Sequence, residues 1–402
     1  MKTAKILHVD GDSFFASCEM SLDYRLRGLP VVTGGERGIA SSMSKEAKAL
    51  GIYRGMPIFK IRKLYPQVVV RSSDYLNYTI FAERMYAIVR RYSDVVEEYS
   101  IDECFAELAS GEQVEEIKGV LQRELGMTFS LGLAPTKVLA KLVSSQNKPD
   151  GLATLVPEDT SRFLREIDVG KVWGIGPATA QELRTLGIET ALDLSNKIPE
   201  WTREHLHKST LAIWYELRGE SRLAVHGTVP SLQQSVQSTK TFSPPSKDKR
   251  VILSELSKNI ENAFVNIRRV GQCANKMYYF LKTQEYRYHR LQVDFEKGID
   301  TPEIAINRVK DTLNQVQHPN TLYRATGVTL AGLVPKEMVQ SDLFDSSCGN
   351  EAAWQKVFKV VDTMDKRYGS HTLVLGSSLV AFQRQGGASI RRLRIPYIGE
   401  VL

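Results

Sequence analysis

Asp10, in Val-Asp-Gly-Asp-Ser-Phe-Phe, and the pair Asp102 and Glu103, in Ser-Ile-Asp-Glu, stand about ninety residues apart, each beside a short strand-like run. Lys5 to Val9 alternates as Lys-Ile-Leu-His-Val, which predicts a strand that ends at Asp10 and gives it a rigid support. Val95 to Leu108 reads as two short strands turning at Ser100 to Glu103. A tight turn relaxes the up-and-down alternation of a strand, so Asp102 and Glu103 can both lean toward Asp10. Three carboxylates would then converge.

Bare, such a trio repels itself and one member must protonate, whereas a hard divalent cation neutralises it and prefers carboxylate oxygen. Magnesium is the natural occupant. Two Mg2+ ions side by side activate an attacking hydroxyl and stabilise a departing pyrophosphate, the chemistry of nucleotidyl transfer. Taken singly, each of these residues reads better as a surface acid beside a strand end than as a metal ligand. The motifs around them favour the metal site.

A chain of 402 residues, 42% apolar, is long enough for two to four globular domains with real cores. The net charge of +7 suits a polyanionic partner, and the excess is local: residues 231 to 340 hold 16 Lys and Arg against 10 Asp and Glu. Cys18, Cys104, Cys273 and Cys348 form no Cys-x-x-Cys pair, which argues against structural zinc or a disulfide framework and for reduced thiols. The first residues break their apolar run too early for a signal peptide, and no stretch approaches the ~18 apolar residues of a membrane span. A cytoplasmic protein is expected.

Residues 1 to about 165 alternate strand-like and helix-like segments, as in an α/β unit. Ser44 to Leu50 reads helical, and Asp74 to Tyr92 reads as a long amphipathic helix. From Ser161 to about Gly227 the pattern is helical. There Val-Trp-Gly-Ile-Gly-Pro, with Gly174 and Gly176, has the spacing of a helix-hairpin-helix, in which glycines let the backbone approach a DNA phosphate without reading sequence. An ordinary helical hairpin with a glycine turn is the alternative. A polar stretch over 229–240 reads as a linker, and Thr241 to Lys249 carries Pro244-Pro245.

Beyond it the pattern is strand, helix (the Leu253 to Ile267 stripe), strands at Lys276 to Leu281 and Arg287 to Phe295, helix Pro302 to Val316 and a strand at Leu322 to Leu330, giving β-α-β-β-α-β order. Tyr278, Tyr279, Tyr286 and Tyr288, interleaved with Lys276, Lys282, Arg287 and Arg290, can lie along a nucleic-acid backbone or simply pack a sheet. Gln340 to Phe344 reads either as a docking peptide, built on Gln340, Leu343 and Phe344, or as a segment packed on its own domain. Trp354 to Met364 has helical spacing, and the end of the chain is basic through Arg384, Arg391, Arg392 and Arg394.

From Ile6 to about Phe344 the chain resembles the Y-family translesion DNA polymerases, with the motifs in the family's order. The resemblance implies a multidomain α/β right hand: a palm over 1–165 with small fingers inserted at about 25–75, a helix-hairpin-helix thumb over 166–228, a βαββαβ little finger over 241–338, a clamp-binding peptide over 339–345 and a tail over 346–402. It implies metal binding by Asp10, the Gly11 carbonyl, Asp102 and Glu103, with Asp102 bridging the ions and Glu103 on the one that activates the primer hydroxyl. Asp12 is not carried over as a ligand. Phe15 falls at the steric gate that excludes a ribose 2′-OH, and Phe14 packs beneath the sugar. The family's Tyr-x-x-Arg in the fingers is replaced by Lys45-Glu46-Ala47-Lys48, which exchanges a bidentate fork for a point charge. Ser42 and Lys148 are the further triphosphate contacts.

Within the family, Glu-Ala-Lys-Ala-Leu-Gly and Tyr-Glu-Leu-Arg-Gly-Glu-Ser look most like the UmuC-like branch, polymerase V, with the DinB-like branch, polymerase IV, next. The partners implied are primer-template DNA, deoxynucleoside triphosphates, the sliding clamp, UmuD-like accessory subunits and a recombinase filament. A catalytically weak DNA-binding scaffold is a second reading, which the retained acidic trio opposes. A nucleotide cyclase is a third, which the duplex-gripping motifs oppose.

Overall fold

The computed structural model describes residues 5–227, 233–339, 348–369 and 371–384. Twelve strands lie among them: β1 Lys5–Gly11, β2 Val31–Thr33, β3 Ser42–Met43, β4 Val69–Arg71, β5 Val96–Ser100, β6 Glu103–Leu108, β7 Phe129–Ala134, β8 Leu152–Thr154, β9 Ser235–Ser246, β10 Gln272–Thr283, β11 Tyr288–Ile299 and β12 Tyr323–Pro335. The chain divides into two compact units between residues 230 and 231.

In the first unit, five strands run in the order β5-β6-β1-β7-β8. Strand β1 is central and antiparallel to both neighbours, with Asp10 opposite Glu103 on one side and Ser130 on the other. Its side chains alternate between two cores, as the period of a strand requires. Leu7 and Val9 join the core formed with the helices Tyr75–Val89 and Val114–Leu125, whereas Ile6 joins the core under Lys137–Gln146. His8 and Asp10, in step with Ile6, therefore fall on the Lys137–Gln146 side.

The sheet β3-β2-β4 has its own small core, built from Val32, Ala47, Ile52, Ile58 and Ile61 among others. The helices from Thr160–Arg165 to Lys208–Leu217 pack onto Lys137–Gln146, with Trp214 fully buried between them. Among the described residues no helix is long and apolar enough to cross a membrane.

The second unit realises the β-α-β-β-α-β order, as a sheet β11-β10-β12-β9 with the helices Lys249–Arg269 and Pro302–Val316 sharing its core. One expectation changes. Strand β9 begins at Ser235, inside the stretch read as a linker, and continues through Pro244-Pro245. It is an edge strand, and its register with β12 slips between Thr241 and Ser246, so the proline pair sits in an irregularity of an edge strand rather than at a boundary.

A second change concerns Tyr279. It points into the core, 1% exposed, with its hydroxyl 2.8 Å from Thr312 Oγ1, while Tyr278, Tyr286 and Tyr288 are exposed. Across the open face of the sheet, Gly327 sits beneath Phe280, where a Cβ would stand 2.5 Å from Phe280 Cζ.

The part of the chain left unexplained by its sequence covers the outer side of Lys249–Arg269. Helix Cys348–Tyr368 is tied to it by Asp362, which accepts from Arg268 Nε and Nη2 at 2.7 Å each. Further along, Ala381 N–H donates to Ser254 Oγ at 2.9 Å and Lys258 lies 3.7 Å over the Phe382 ring. Gln340, Leu343, Phe344, Arg391, Arg392 and Arg394 lie outside the described residues.

Helix Lys137–Gln146 approaches β7 so closely at Gly132 that a Cβ there would meet backbone: the Ala140 carbonyl oxygen, and Ser144 N at 2.5 Å. Backbone cannot swing away as a side-chain tip does. Gly132→Ala is expected to lower stability by on the order of 3 kcal/mol, read from the midpoint of urea unfolding; an unchanged midpoint would show that the helix can retreat freely.

Candidate active site

The β1–β6 pairing brings two of the three acids together from opposite strands. Ligand atoms of Asp10, Glu103 and His8 all lie within 4.8 Å of one another. Asp102 joins through the turn: its carbonyl accepts from Gly11 N–H at 2.8 Å, and its carboxylate accepts from Ser100 Oγ at 2.7 Å. The turn itself is pinned from the Tyr75–Val89 helix, since Tyr86 OH donates to the Ser100 carbonyl at 2.5 Å.

Each acid of the β1–β6 pair already has a cation. Lys148 Nζ lies 2.6 Å from Asp10 Oδ2, and Lys141 Nζ contacts Glu103 Oε2. The two acids respond differently. Burial pushes Asp10 up to about 7 although Lys148 pulls against it. Burial works the same way on Glu103, but the hydrogen bonds from His8 and Lys141 outweigh it and hold that carboxyl down to about 2. His8 is itself lowered to about 4 by burial, so its ring is neutral at neutral pH.

A buried carboxylate whose charge its surroundings only partly compensate is suited to a hard divalent cation. The carboxylates of Asp10 and Glu103 therefore fit a divalent metal ion. Asp12 is placed elsewhere: its carboxylate accepts from Ser130 Oγ and Asp150 N–H, both at 2.8 Å, and ties β1 to the loop before β8.

Sequence reasoning missed His8, Lys141 and Ser144. His8 Nδ1 lies 2.6 Å from Ser144 Oγ, and His8 Nε2 lies 3.4 Å from Glu103 Oε2. The available signals were a polar residue two positions before Asp10 in an apolar strand, and a Lys-x-x-Ser pair one turn apart on the helix above it.

The expected nucleotide contacts divide into two groups. Phe14 is buried beneath Gly11, and Phe15 stacks on Tyr78, centroids 4.6 Å apart, with Tyr75 against it edge-on. Tyr78 is held in turn by its hydroxyl on buried Glu19, at 2.8 Å, so the Phe15 ring rests on a fixed floor. Ser42 Oγ donates to the Ser13 carbonyl at 3.0 Å, and Lys48 Nζ donates to Ser13 Oγ at 2.8 Å. Lys45 is different. Its side chain is 84% exposed and lies 4.0 Å from Glu46. Lys148, read as a phosphate contact, is the residue on Asp10.

Gly174 has φ +88 and lies against Ile213, where a Cβ would come within 2.5 Å of Cδ1, so the hairpin requires glycine there. Gly176 caps helix Pro177–Thr185, and a Cβ on it would meet nothing within 4 Å, leaving that side open to a close approach. In the second unit, Lys282 packs over Tyr286 and Tyr288 at 4.8 Å, and Arg290 over Tyr288 at 4.9 Å. Lys276, Lys282, Tyr288 and Arg290 share the open face of the sheet, with Phe280 opposite Arg290. Arg287 sits at the β10–β11 turn.

This arrangement, an acidic site on a five-stranded sheet with a helical glycine hairpin and a separate split sheet, is a DNA polymerase fold of the Y-family type. Residues 9–145 match the impB/mucB/samB family, 157–188 its helix-hairpin-helix motif and 233–343 its C-terminal domain. DNA polymerase IV of Desulfatibacillum aliphaticivorans is 30% identical over 387 residues, covering 92% of this chain and 95% of that protein. DNA polymerase IV 1 of Bacillus subtilis (strain 168) is 28% identical, with 94% of each chain covered. Among solved structures, the Y-family DNA polymerase chimera Dbh-Dpo4(243-245)-Dbh superposes with a TM-score of 0.72 at 25% identity, over 82% of this chain and 99% of its own. The chain belongs to the impB/mucB/samB family of Y-family polymerases and is a DNA-directed DNA polymerase.

Removing the cation on Asp10 should raise its protonation midpoint further. Lys148→Met is expected to move the midpoint of Asp10 above about 7, followed by carboxyl 13C NMR across roughly pH 5 to 9; a midpoint that stays or falls would mean that Lys148 does not hold the ionised form.

Proposed function

We propose that this polymerase adds deoxynucleotides opposite damaged template bases, by attack of the primer 3′-hydroxyl on the α-phosphate with release of pyrophosphate. The observation that carries the reading is the convergence of Asp10 and Glu103 across β1–β6, with Asp102 hydrogen-bonded into the adjoining turn. Magnesium ions held there would lower the pKa of the attacking hydroxyl and neutralise the leaving pyrophosphate.

The chain's own residues do the rest. Phe15, backed by Tyr78, presents a fixed ring edge where a ribose 2′-hydroxyl would have to fit, and Phe14 supports the sugar from below. Lys48 is drawn to the start of the Phe14–Leu22 helix by Ser13, which supports a phosphate role for it, whereas Lys45 needs a rotamer change to take part. Lys148 leaves Asp10 as it takes up the triphosphate.

The palm spans about 1–165 with fingers at about 25–75, the thumb runs to about 228, and the little finger ends at about 338. Gly174 and Gly176 face the duplex backbone, and Lys276, Lys282, Arg287 and Arg290 line its path on the little finger. Gln340, Leu343 and Phe344 tether the chain to the sliding clamp, which lengthens residence by making rebinding intramolecular. On the branch within the family, the relatives' names favour the DinB-like, polymerase IV alternative over the UmuC-like reading. The scaffold reading receives no support from the site, since the acids are kept together.

Primer extension tests the chemistry: Asp10→Ala and Asp102→Ala are each expected to reduce synthesis by at least about a thousandfold, and normal synthesis by either variant would refute the assignment of metal ligands. Extension with ribonucleoside triphosphates tests the gate. Phe15→Ala should incorporate them at rates near those of deoxynucleotides, and continued exclusion would place the gate elsewhere.

A further inference from the structure

At the end of the second unit's sheet a groove of about 780 Å3 lies against helix Cys348–Tyr368, beyond the last residue matched by the family's C-terminal domain. Its lining holds five cations, Arg268, Lys336, Lys356, Lys359 and Lys366, against two acids, Asp300 and Asp362. Both acids are already engaged. Asp362 takes Arg268 on both oxygens, and Asp300 takes Lys336 Nζ at 2.6 Å. The three remaining lysines, all exposed, have no ion-pair partner among the described residues. Lys356, Lys359 and Lys366 recur at spacings of three and seven along the helix, so they share one side, and they span about 15 Å of its axis.

We propose that this groove binds the phosphate backbone of DNA, at a surface separate from the open face of the sheet; the inference rests on the polymerase function proposed above. Two observations favour nucleic acid over an acidic protein segment. First, the rest of the lining is Gly271, Gln272, Thr301, Gln355 and Thr363, with no apolar side chain. Protein partners anchor through buried aromatic or aliphatic groups, and this groove has no pocket to receive one. It also offers no ring on which a free base could stack, which leaves phosphate as the recognised group. Second, the groove begins at Gln272, the first residue of β10, and Lys276 on the open face lies only about 13 Å further along that strand. A strand of DNA passing over this end of the sheet would cross Lys336 before the helix, whose lysine row covers the axial rise of about four phosphates on one strand.

Lys356→Gln, Lys359→Gln and Lys366→Gln combined test this in the full-length chain, by fluorescence anisotropy with primer-template DNA from about 50 to 300 mM salt. Exposed lysines on a helix can be replaced without disturbing the Arg268–Asp362 pair, and an unchanged melting temperature checks that the helix remains folded. Affinity is expected to fall about tenfold at physiological salt. The slope of log K against log salt should become shallower by about two to three, roughly one for each phosphate that the variant no longer neutralises. The corresponding triple Lys→Arg variant should restore both. Insertion rate at saturating DNA should be unchanged, because none of the three residues touches the acidic site.

Equal affinity and slope for wild type and the Gln variant would overturn the inference. So would weaker binding to a poly-glutamate peptide with DNA binding intact, which would give the groove to an acidic protein. A wild-type chain that binds no primer-template at all would refute the proposed function itself, and it is recognised without any variant.

Discussion

Asp10 is an acid that its own strand buries, and much of the first unit is arranged around making that tolerable. Strand β1 is central and leaves Asp10 only 3% exposed, and at about 7 the protonation of Asp10 is poised between its two forms near neutral pH. Lys148 approaches from the loop before β8, Lys141 neutralises Glu103 from the helix above, and His8 remains neutral against Ser144. A buried charge without such partners would cost several kcal/mol. The lysines, the packed helix and the turn pinned by Tyr86 are thus parts of one electrostatic solution.

Much of this is legible in the chain because strands announce themselves through alternation. Lys5 to Val9 and Val95 to Leu108 give their own partners away, since an acid at the end of each needs the other nearby. The helix Pro302–Val316 and the split order of the second sheet are equally plain, carried by an apolar stripe and short polar turns. What the chain does not spell out is relational. Lys141 and Ser144 are ordinary helix residues until Gly132 lets their helix settle on β7, and no local pattern encodes that approach. The motif around Lys148 points to a phosphate; that the lysine lies on Asp10 follows only from the tertiary placement of its loop.

The positions that differ from expectation have a physical pattern as well. Pro244-Pro245 signals broken structure only if the strand is interior, and sequence does not say which strand forms an edge. Composition groups Tyr279 with its exposed neighbours, although its position in the alternation assigns it to the core with Met277 and Leu281. The segment after residue 347 carries only a helical spacing and no hint of its place, because its role is to cover Ser254, Glu255 and Lys258 on a helix whose apolar side is already satisfied. The segment adds only scattered apolar groups to that surface, Phe358, Leu375 and Ala381 among them, too few to set a hydrophobic period.

The glycine beneath Phe280 bears on the texture of the little finger. With no side chain at 327, the aromatic ring can recline across the neighbouring strand instead of standing upright from it. The adjoining positions on that face are Gln237, Thr239 and Thr241 from β9 and Ala325 and Thr329 from β12, none of them charged. One half of that face is therefore uncharged while the other carries long cations, so the field above the sheet is lopsided across its width.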